Sequence, residues 1–369
     1  MIIKTELFQD ACKKILDAVD TNVNTLVSET LELEAKGNKL YLNVTNKEYY
    51  VTVAIDLDES EEFTAVISAN LFLTLISKVT TPTIELLTKD NALVVKANGN
   101  YKFPLIFDGE TYVKLPKIEI EEVTNSFTVP KGVLQSILKY NSKELLKSGI
   151  RKEVQKMFYV DELGAITFAN GACINSFNLT NPVKLLLNEK TIKLFKLFTD
   201  ADVLLSIGFT NIGGGIVQSR VQFKDSKVEL TTIITSDDNM LNSVPVRAIR
   251  GMGDTSYQNN VVFEKNLLLS AINRLTLFTS KDEVNPAITF SFTKDSVVVF
   301  DTRKENHECV GYVPGTILTD DEYTCKINAS DLKLTLELSE ETHLTMRFGN
   351  HRAVVFERNS IKNILPEIQ

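Results

Sequence analysis

Few side chains in this sequence have the types and spacing that catalysis or metal binding requires. The chain carries three histidines, His307, His343 and His351, no tryptophan, and four cysteines with no CxxC pair among them. Structural zinc sites need clustered Cys and His ligands, and acid–base catalysis most often uses histidine. We therefore expect reduced cysteines, no metal, no cofactor and no enzymatic activity.

Two other motifs with chemical potential are better interpreted as loops. Residues 213–215 are three consecutive glycines that could cradle a phosphate, but no Gly-Lys-Ser/Thr follows them. The next segment, IVQSRVQF, alternates as a strand does, so the glycines are expected to form a hairpin turn. Asp237 and Asp238 could bind magnesium, but adjacent carboxylates in a polar stretch are typical of a solvated loop.

The charge of the chain argues against a protein that coats nucleic acid with its whole surface. The 48 acidic and 40 basic side chains give a net charge of −8, and acid is concentrated in segments such as DLDESEE and LTDDE. Lysine and arginine instead recur on predicted helices, off the apolar stripe. Such a face would attract phosphates without reading bases. The predicted DNA-facing residues are Lys13, Lys14, Lys78, Lys139, Lys143, Lys147, Lys190, Lys193, Lys196, Arg274, Lys281 and Lys333.

Apolar periodicity predicts two helices in each third of the chain, with strands between them. The helices are expected around residues 8–19, 68–79, 133–138, 188–198, 267–275 and 331–339. Lys143 and Lys147 share the face of Lys139 only if the third helix extends that far. The segment LELEAKGNKLYLNVTN is expected to be a hairpin that turns at Lys-Gly-Asn-Lys, because it alternates on both sides of that turn.

The last of these helices conflicts with its own pattern. DLKLTLELS alternates apolar and polar residues with the period of a strand. We nevertheless predict a helix, because the corresponding segment in the first third of the chain, residues 68–79, is predicted to be helical. In addition, Asn328 or Ser330 can cap the helix.

The chain repeats itself. EFTAVISA at 62–69 matches EYTCKINA at 322–329, an offset of 322 − 62 = 260 residues. IIKTELFQDA at 2–11, FTVPKGVLQS at 127–136 and VFEKNLLLSA at 262–271 each run from an extended stretch into a helical pattern. Three copies of about 120 residues account for the chain. We predict an α+β protein of three repeated domains, 1–124, 125–252 and 253–369, each with two helices packed on antiparallel sheets.

No segment has the pattern of an export signal or a membrane span. The N-terminal MIIKTELFQDACKK lacks an uninterrupted apolar run, and no stretch of about 18 apolar residues occurs. We therefore expect a cytoplasmic protein with no membrane partner.

This organisation resembles the bacterial sliding clamp, the beta subunit of DNA polymerase III, over essentially the whole chain. The resemblance rests on the length, the threefold repeat and the two helices per repeat. It also rests on three local segments: FPLIFDGETYVKLPK and LNSVPVRAI, similar to the family's interdomain links, and the C-terminal ILPEIQ. The specificity of the resemblance comes from the order and spacing of these features along the chain.

The resemblance implies a head-to-tail homodimeric ring around duplex DNA, loaded by a clamp loader ATPase and tethering a polymerase. Phe103 and Leu105 of one copy would meet Leu277 and Phe278 of the other; alternatively, these four residues are core residues of their own domains. Short partner peptides would bind an apolar cleft between the second and third domains. The cleft residues carried over are Val154, Ala169, Gly171, Ala172, Ile174, Pro245, Ile249, Ile364, Leu365 and Pro366.

Two departures from the family pattern bear on the partners. ANGACI lacks the charged residues usual after its glycine, and Glu367 follows Pro366 where an apolar residue is common. They favour a divergent clamp with its own partners, in a bacterial cell or, if phage-encoded, in the host cytoplasm.

Two other interpretations stay open. Repeated domains could build a ring or shell without DNA inside, which lysines pointing outward as often as inward would favour. An enzyme of unrecognised family would need a deep polar pocket with titratable groups of perturbed pKa.

Overall fold

The computed structural model describes residues 1–20, 25–142, 153–169, 171–199, 201–234, 238–278, 287–293, 296–301, 310–313, 315–317, 323–349 and 352–368. Three predicted DNA-facing residues, Lys143, Lys147 and Lys281, lie outside these ranges, as do His307, His351 and Asp237. The side chain of Phe278 also lies outside the description.

Helices are few and short in the described part of the chain. They are α1 Thr5–Leu16, α2 Ala69–Ile76, α3 Val133–Ser136, α4 Glu189–Leu194, α5 Asp238–Ser243, α6 Val246–Asp254, α7 Lys265–Leu275 and α8 Ala329–Glu337. A π turn, Ile137–Asn141, continues α3, and a 3₁₀ turn, Phe195–Leu197, continues α4.

Strands make up most of the remaining described structure. They are β1 Ile2–Lys4, β2 Thr30–Thr45, β3 Tyr49–Ser68, β4 Thr83–Lys89, β5 Ala92–Lys96, β6 Asn100–Pro104, β7 Phe107–Asp108, β8 Thr111–Tyr112, β9 Glu122–Val129, β10 Met157–Asp161, β11 Gly164–Phe168, β12 Ala172–Ser176, β13 Lys184–Asn188, β14 Val203–Asn211, β15 Val217–Lys224, β16 Val228–Ile233, β17 Asn259–Glu264, β18 Ala287–Thr293, β19 Ser296–Asp301, β20 Val310–Val313, β21 Gly315–Ile317, β22 Tyr323–Asn328, β23 His343–Phe348, β24 Ala353–Arg358 and β25 Ile361–Pro366.

One compact unit consists of residues 1–134 and 194–236. Its larger sheet has the strand order β2-β3-β16-β15-β14-β9, and a four-stranded sheet has the order β1-β4-β5-β6. Helices α1 and α2 pack through their apolar stripes, with the rings of Phe8 and Phe72 6.0 Å apart. Phe72 also meets Phe103 of β6 at 5.3 Å, so Phe103 belongs to the core of this unit.

The second compact unit consists of residues 135–193 and 237–369. Its nine-stranded sheet has the order β13-β10-β11-β12-β25-β24-β23-β17-β21, and a four-stranded sheet has the order β20-β19-β18-β22. Leu268 of α7 and Leu332 of α8 are fully buried in one apolar cluster with Phe290 and Phe348 of the sheets. The fold is therefore α+β with antiparallel sheets, as predicted.

Strand–helix steps recur along the chain. Helices α1 and α7 begin at Thr5 and Lys265, and α2 and α8 begin at Ala69 and Ala329, so 265 − 5 and 329 − 69 both equal 260. The middle of the chain has the same steps, β9 into α3 and β13 into α4. Sheets also cross the predicted domain boundaries, since β3 pairs with β16 and β12 with β25. The division into three domains stays a prediction.

The helix predicted against its pattern is confirmed. In α8 the side chain of Asn328 accepts a hydrogen bond from the backbone N–H of Asp331 at 2.9 Å, which is an N-cap. The buried residues Ala329, Leu332 and Leu336 recur at helical spacing and form the stripe that packs on the core.

The predicted hairpin at Lys-Gly-Asn-Lys is confirmed. Within β2 the side chain of Asn43 donates to a carboxylate oxygen of Glu32, 11 residues earlier, at 3.0 Å. An uninterrupted strand of that length would separate the two residues by roughly 35 Å, so the chain reverses between them. Gly37, which has a φ of +61°, lies in this turn.

Strand β3 pairs with both arms of this hairpin. Between the pairs Gly37–Glu61 and Lys39–Asp56, residues 57–60 of β3 stand opposite Asn38 alone, so the extra residues lie in β3.

The next reversal along the chain comes at Asn46, whose side chain accepts hydrogen bonds from the N–H groups of Glu48 and Tyr49. The turn predicted at the three glycines also joins two strands, β14 and β15.

Candidate functional site

A cation lies near the end of the first helical segment of each predicted repeat. Lys14 lies in the last turn of α1, and Arg274 lies in the last turn of α7, 274 − 14 = 260 residues later. The sequence alignment of 2–11 with 127–136 places Lys139, at 139 − 14 = 125 residues, at the corresponding point of the π turn. The first and third predicted repeats therefore keep a positive charge at one helix position, and the aligned cation of the middle repeat lies in the π turn.

The predicted DNA-facing cations differ in their partners. Lys13, Lys78 and Arg274 are exposed and have no ion pair with another described residue. Lys190 is half-buried. The remaining described members pair with acids: Lys14 with Asp10 at 3.3 Å, Lys139 with Glu340, Lys193 with Glu189, Lys196 with Asp17 at 2.7 Å, and Lys333 with Glu337 at 3.9 Å. Ion pairs at the surface are weak and screened by salt, and each of these pairs has at least one exposed side chain.

The structure brings together half of the predicted cleft residues. Val154, Ala172, Ile174, Ile249 and Ile364 share one apolar cluster, on one face of the neighbouring strands β10, β11, β12, β25 and β24.

The other cleft residues lie around this cluster or beyond it. Ala169 and Gly171 lie between β11 and β12, Pro245 is exposed just before α6, and Pro366 is half-buried at the end of β25. Leu365 packs into the separate cluster of Phe263 and Phe348, because successive side chains of a strand point to opposite faces.

Helix α6 covers the shared apolar cluster. Ala172, Ile174 and Ile364 are at most 5% exposed, and Ile249 of α6 is 3% exposed. A methyl group on Gly253 of α6 would lie 2.8 Å from Cδ1 of Ile174, so the backbone of the helix rests directly on that side chain. The helix thus packs on the cluster and, through Ile249, contributes one of the predicted cleft residues, while the peptide cleft itself stays a prediction.

Polar contacts fix α6 along its length. Near its C-terminal end, Lys362 Nζ lies 2.6 Å from a carboxylate oxygen of Asp254, and Arg347 donates to the carbonyl of Gly253 at 2.8 Å. Near its middle, Arg250 donates to both carboxylate oxygens of Asp161 in β10, at 2.8 and 2.6 Å. Two-point guanidinium–carboxylate pairing fixes orientation as well as distance.

The Arg250–Asp161 pair lies mostly out of water. The side chains are 22% and 7% exposed. Burial alone would lower the pKa of the Arg250 guanidinium, but the hydrogen bonds and charge of Asp161 outweigh it and raise the pKa. Burial, together with the charge of Asp161, raises the pKa of the neighbouring Tyr159 to about 12. At neutral pH the arginine is therefore charged and the tyrosine neutral.

A cavity of about 480 Å³ opens beside this pair, on the β10 and β13 side of α6. Its apolar lining is Leu241, Val244 and Val246. Its polar lining is Tyr159, Asp161, Lys184, Asn242, Arg247 and Arg250. All of these residues lie in the middle repeat predicted from the sequence. The cavity is thus a concave site with an apolar floor and several cations.

The predicted interface residues have different environments. Leu277 is 81% exposed, whereas Phe103 is 6% exposed and held between its neighbours in the core of its own unit. Leu105 is half-buried. Phe103 therefore fits the alternative of a core residue, and Leu277 is a large apolar side chain available for contact.

Within the described residues, no group of three or more His, Cys, Asp and Glu side chains is arranged to hold a metal ion. Cys12, Cys173 and Cys325 are buried free thiols, and burial raises the pKa of Cys12 and Cys325. None of the helices in the described part is long and apolar enough to span a bilayer.

Short amphipathic helices packed on long antiparallel sheets, with the same strand–helix steps repeated along the chain, define the sliding-clamp fold. Solved structures of this class match over the full length. The DNA polymerase III beta subunit of Pseudomonas aeruginosa has a TM-score of 0.80 at 12% identity, covering 100% of this chain and 99% of that one. The beta subunit of Thermotoga maritima gives 0.80 at 14% identity, with 100% and 98% coverage. The DNA polymerase sliding clamp of Bacillus subtilis has a TM-score of 0.77 at 13% identity, covering 100% of this chain and 98% of that one.

The chain therefore has the fold of bacterial DNA polymerase III beta subunits, at a sequence identity that marks it as divergent. No protein-family model matches the sequence, and the search of curated proteins found no significant match.

Sequence reasoning missed the cover formed by α6 and the cavity beside it. LNSVPVRAI was interpreted as an interdomain link, although Val246, Ile249 and Gly253 follow at helical spacing and indicate a helix. The pairing of Asp161 with Arg250 joins residues 89 positions apart and has no local signal.

Proposed function

We propose that this chain is a DNA sliding clamp: two copies close head to tail into a ring around duplex DNA and tether a polymerase. Its role would be topological and not catalytic. The observation that carries the proposal is the full-length match to beta subunits, whose fold this chain shares from end to end.

The recurrent cation supports the same function. Lys14, Lys139 and Arg274 give each predicted repeat a positive charge near the end of its first helical segment, despite the net charge of −8. Charges that meet phosphates without base contacts allow a protein to slide. We further propose three domains per chain, loading by a separate ATPase, and action in the cytoplasm of a bacterium or of a phage's host.

The test is retention on closed DNA. The protein is loaded onto nicked circular plasmid in two ways, with a bacterial clamp loader and ATP, and by assembling dissociated subunits in the presence of the circle. The complex is isolated by gel filtration, and half of it is linearised with a restriction enzyme. We expect the protein to stay on the circle and to leave the linear form.

A bacterial beta subunit carried through both procedures is the control. Equal retention on circular and linear DNA would contradict encirclement. Failure of both loading routes, while the control clamp loads, would favour a ring or shell without DNA inside.

A further inference from the structure

Residues 113–121, which follow β8 and lead into β9, form a strap across one face of the six-stranded sheet. Ile118 of the strap is buried in an apolar cluster with Tyr50 of β3. Two residues later Ile120 rests on β14, since a methyl group on Gly208 would lie 2.5 Å from its Cγ2 atom. Strands β16 and β15 lie between β3 and β14 in the strand order, so the strap crosses over both.

The strap is held by backbone hydrogen bonds only at its two ends. The N–H of Val113 donates to the carbonyl of Ile106 at 3.1 Å, and the N–H of Glu121 donates to the carbonyl of Phe209 at 3.1 Å. Between them, no backbone N–H of residues 114–120 donates to another residue of the described structure. A segment with so few backbone hydrogen bonds opens at a lower free energy than the strands beneath it.

Arg220 of β15 lies under this crossing. It stands opposite Gly208 in the register of β14 and β15, and only 6% of it is exposed. Its Nη2 donates to the side chain of Gln218 at 3.1 Å, but Nε and Nη1 are buried and have no hydrogen-bond partner among the described residues. Glu121 forms no ion pair with Arg220, and its carboxylate accepts the N–H of Asn211 at 3.0 Å instead.

An unpaired guanidinium in this place is unfavourable for folding. Burial lowers the pKa of Arg220, but an arginine side chain stays charged at any ordinary pH. A buried charged donor without a partner destabilises the folded state, because its bonds to water are lost and not replaced. Stability therefore does not explain why arginine occupies this position. Free guanidinium donors are well suited to bind an oxyanion.

We propose that the strap is a displaceable cover and that Arg220 binds a small oxyanion, a phosphate or carboxylate group, when the strap lifts. The anion accepts hydrogen bonds from Nε and Nη1, which are out of reach while the strap lies across β15. Because the anion binds only the lifted state, it raises the population of that state. The strap also crosses the pairing of β3 with β16, which joins the first and second predicted repeats, so an anion at Arg220 would loosen that connection.

Hydrogen–deuterium exchange of the intact protein, read by mass spectrometry, measures how often the strap lifts. Exchange is compared at one pH and one ionic strength in sodium chloride, sodium phosphate and sodium acetate. The N–H of Glu121 reports the opening, because it is bonded to Phe209 while the strap is closed. We expect about twofold faster exchange in the strap when the anion concentration equals its dissociation constant for the lifted state. Acceleration by phosphate alone, by acetate alone or by both supports the proposal and identifies the group that is bound.

Arg220→Met removes the charge and keeps an unbranched side chain. This variant should be at least as stable as the native protein in urea, and its strap should exchange at the same rate in all three salts. The matched control is Arg358→Met, at an arginine that is also 6% exposed but donates to the carbonyl of Thr335 and to the side chain of Asn363. That substitution should destabilise the protein. Arg220→Lys keeps a positive charge and should retain part of the response to the anion.

Three results would overturn the proposal. Equal exchange of the native strap in all three salts would mean that no oxyanion binds under it. Equal acceleration in the native protein and in Arg220→Met would mean that the anions act elsewhere. A loss of stability in Arg220→Met as large as in Arg358→Met would mean that a permanently bound water or a neighbouring group already pairs with Arg220. None of these measurements involves DNA, so their outcome is separate from that of the plasmid experiment.

Discussion

Asp161 holds the middle of α6 through Arg250. Its two carboxylate oxygens bind Arg250, and one of them also accepts the backbone N–H of Leu163 at 3.0 Å. Asp161→Asn leaves the guanidinium charge only partly compensated in a site that is mostly out of water. We expect the free energy of unfolding to fall by about 1–3 kcal/mol, measured by urea denaturation.

An exposed ion pair provides the comparison for Asp161. Lys117 and Glu119 are 2.7 Å apart, but their side chains are 63% and 60% exposed. Glu119→Gln should therefore change stability very little. If both substitutions had the same small effect, the Arg250–Asp161 pair would be no more than a surface contact.

At the scale of the element, two glycines of α6 test whether the helix rests on the apolar cluster. Gly251 has no other atom within 4 Å of an added methyl group, whereas at Gly253 that group would lie 2.8 Å from Ile174. Alanine favours a helix over glycine by about 1 kcal/mol, so Gly251→Ala should stabilise the protein by up to that amount. Gly253→Ala should be less stable than Gly251→Ala by about 1–2 kcal/mol, because Ile174 must shift.

The free energies of unfolding of the two glycine variants are measured by urea denaturation. Their difference shows whether α6 packs against Ile174. Equal gains at both positions would mean that α6 does not lie against Ile174 in solution. A large loss at Gly251 would point instead to a contact on the outer face of the helix.

The same elements show what a sequence can predict. The helix α8 followed from repeat alignment and a cap, since both are encoded locally or by comparison within the chain. The register of β3 at Gly37 could not be predicted, because residues 57–60 stand opposite Asn38 alone and their place depends on how β3 pairs along both arms of β2. The buried pair of Asp161 and Arg250 depends on tertiary packing, and so does the cover over Ile174.

At the scale of the whole molecule, Leu277 tests the proposed seam between two copies. A leucine with 81% exposure gains about 1.5–3 kcal/mol when it is buried. Leu277→Asp should therefore raise the dissociation constant of the dimer by roughly tenfold or more, measured by analytical ultracentrifugation. Ile216→Asp, at a 60% exposed apolar residue of the glycine hairpin, is the control and should leave the dimer intact. Dimers of equal strength in both variants would place the seam elsewhere.

The recurrent cation tests whether the repeats act together on DNA. Lys14→Ala, Lys139→Ala and Arg274→Ala each remove one positive charge near the end of the first helical segment of a predicted repeat. If these charges meet phosphates, each substitution should shorten retention on circular plasmid. Each should also reduce the slope of log affinity against log salt by about one per cation lost. Lys227→Ala removes an exposed lysine at no such position and should change neither quantity. Similar losses of retention in all four variants would mean that DNA binding depends on the overall charge of the protein and not on the helix position. The repeated cation would then have no specific role in sliding.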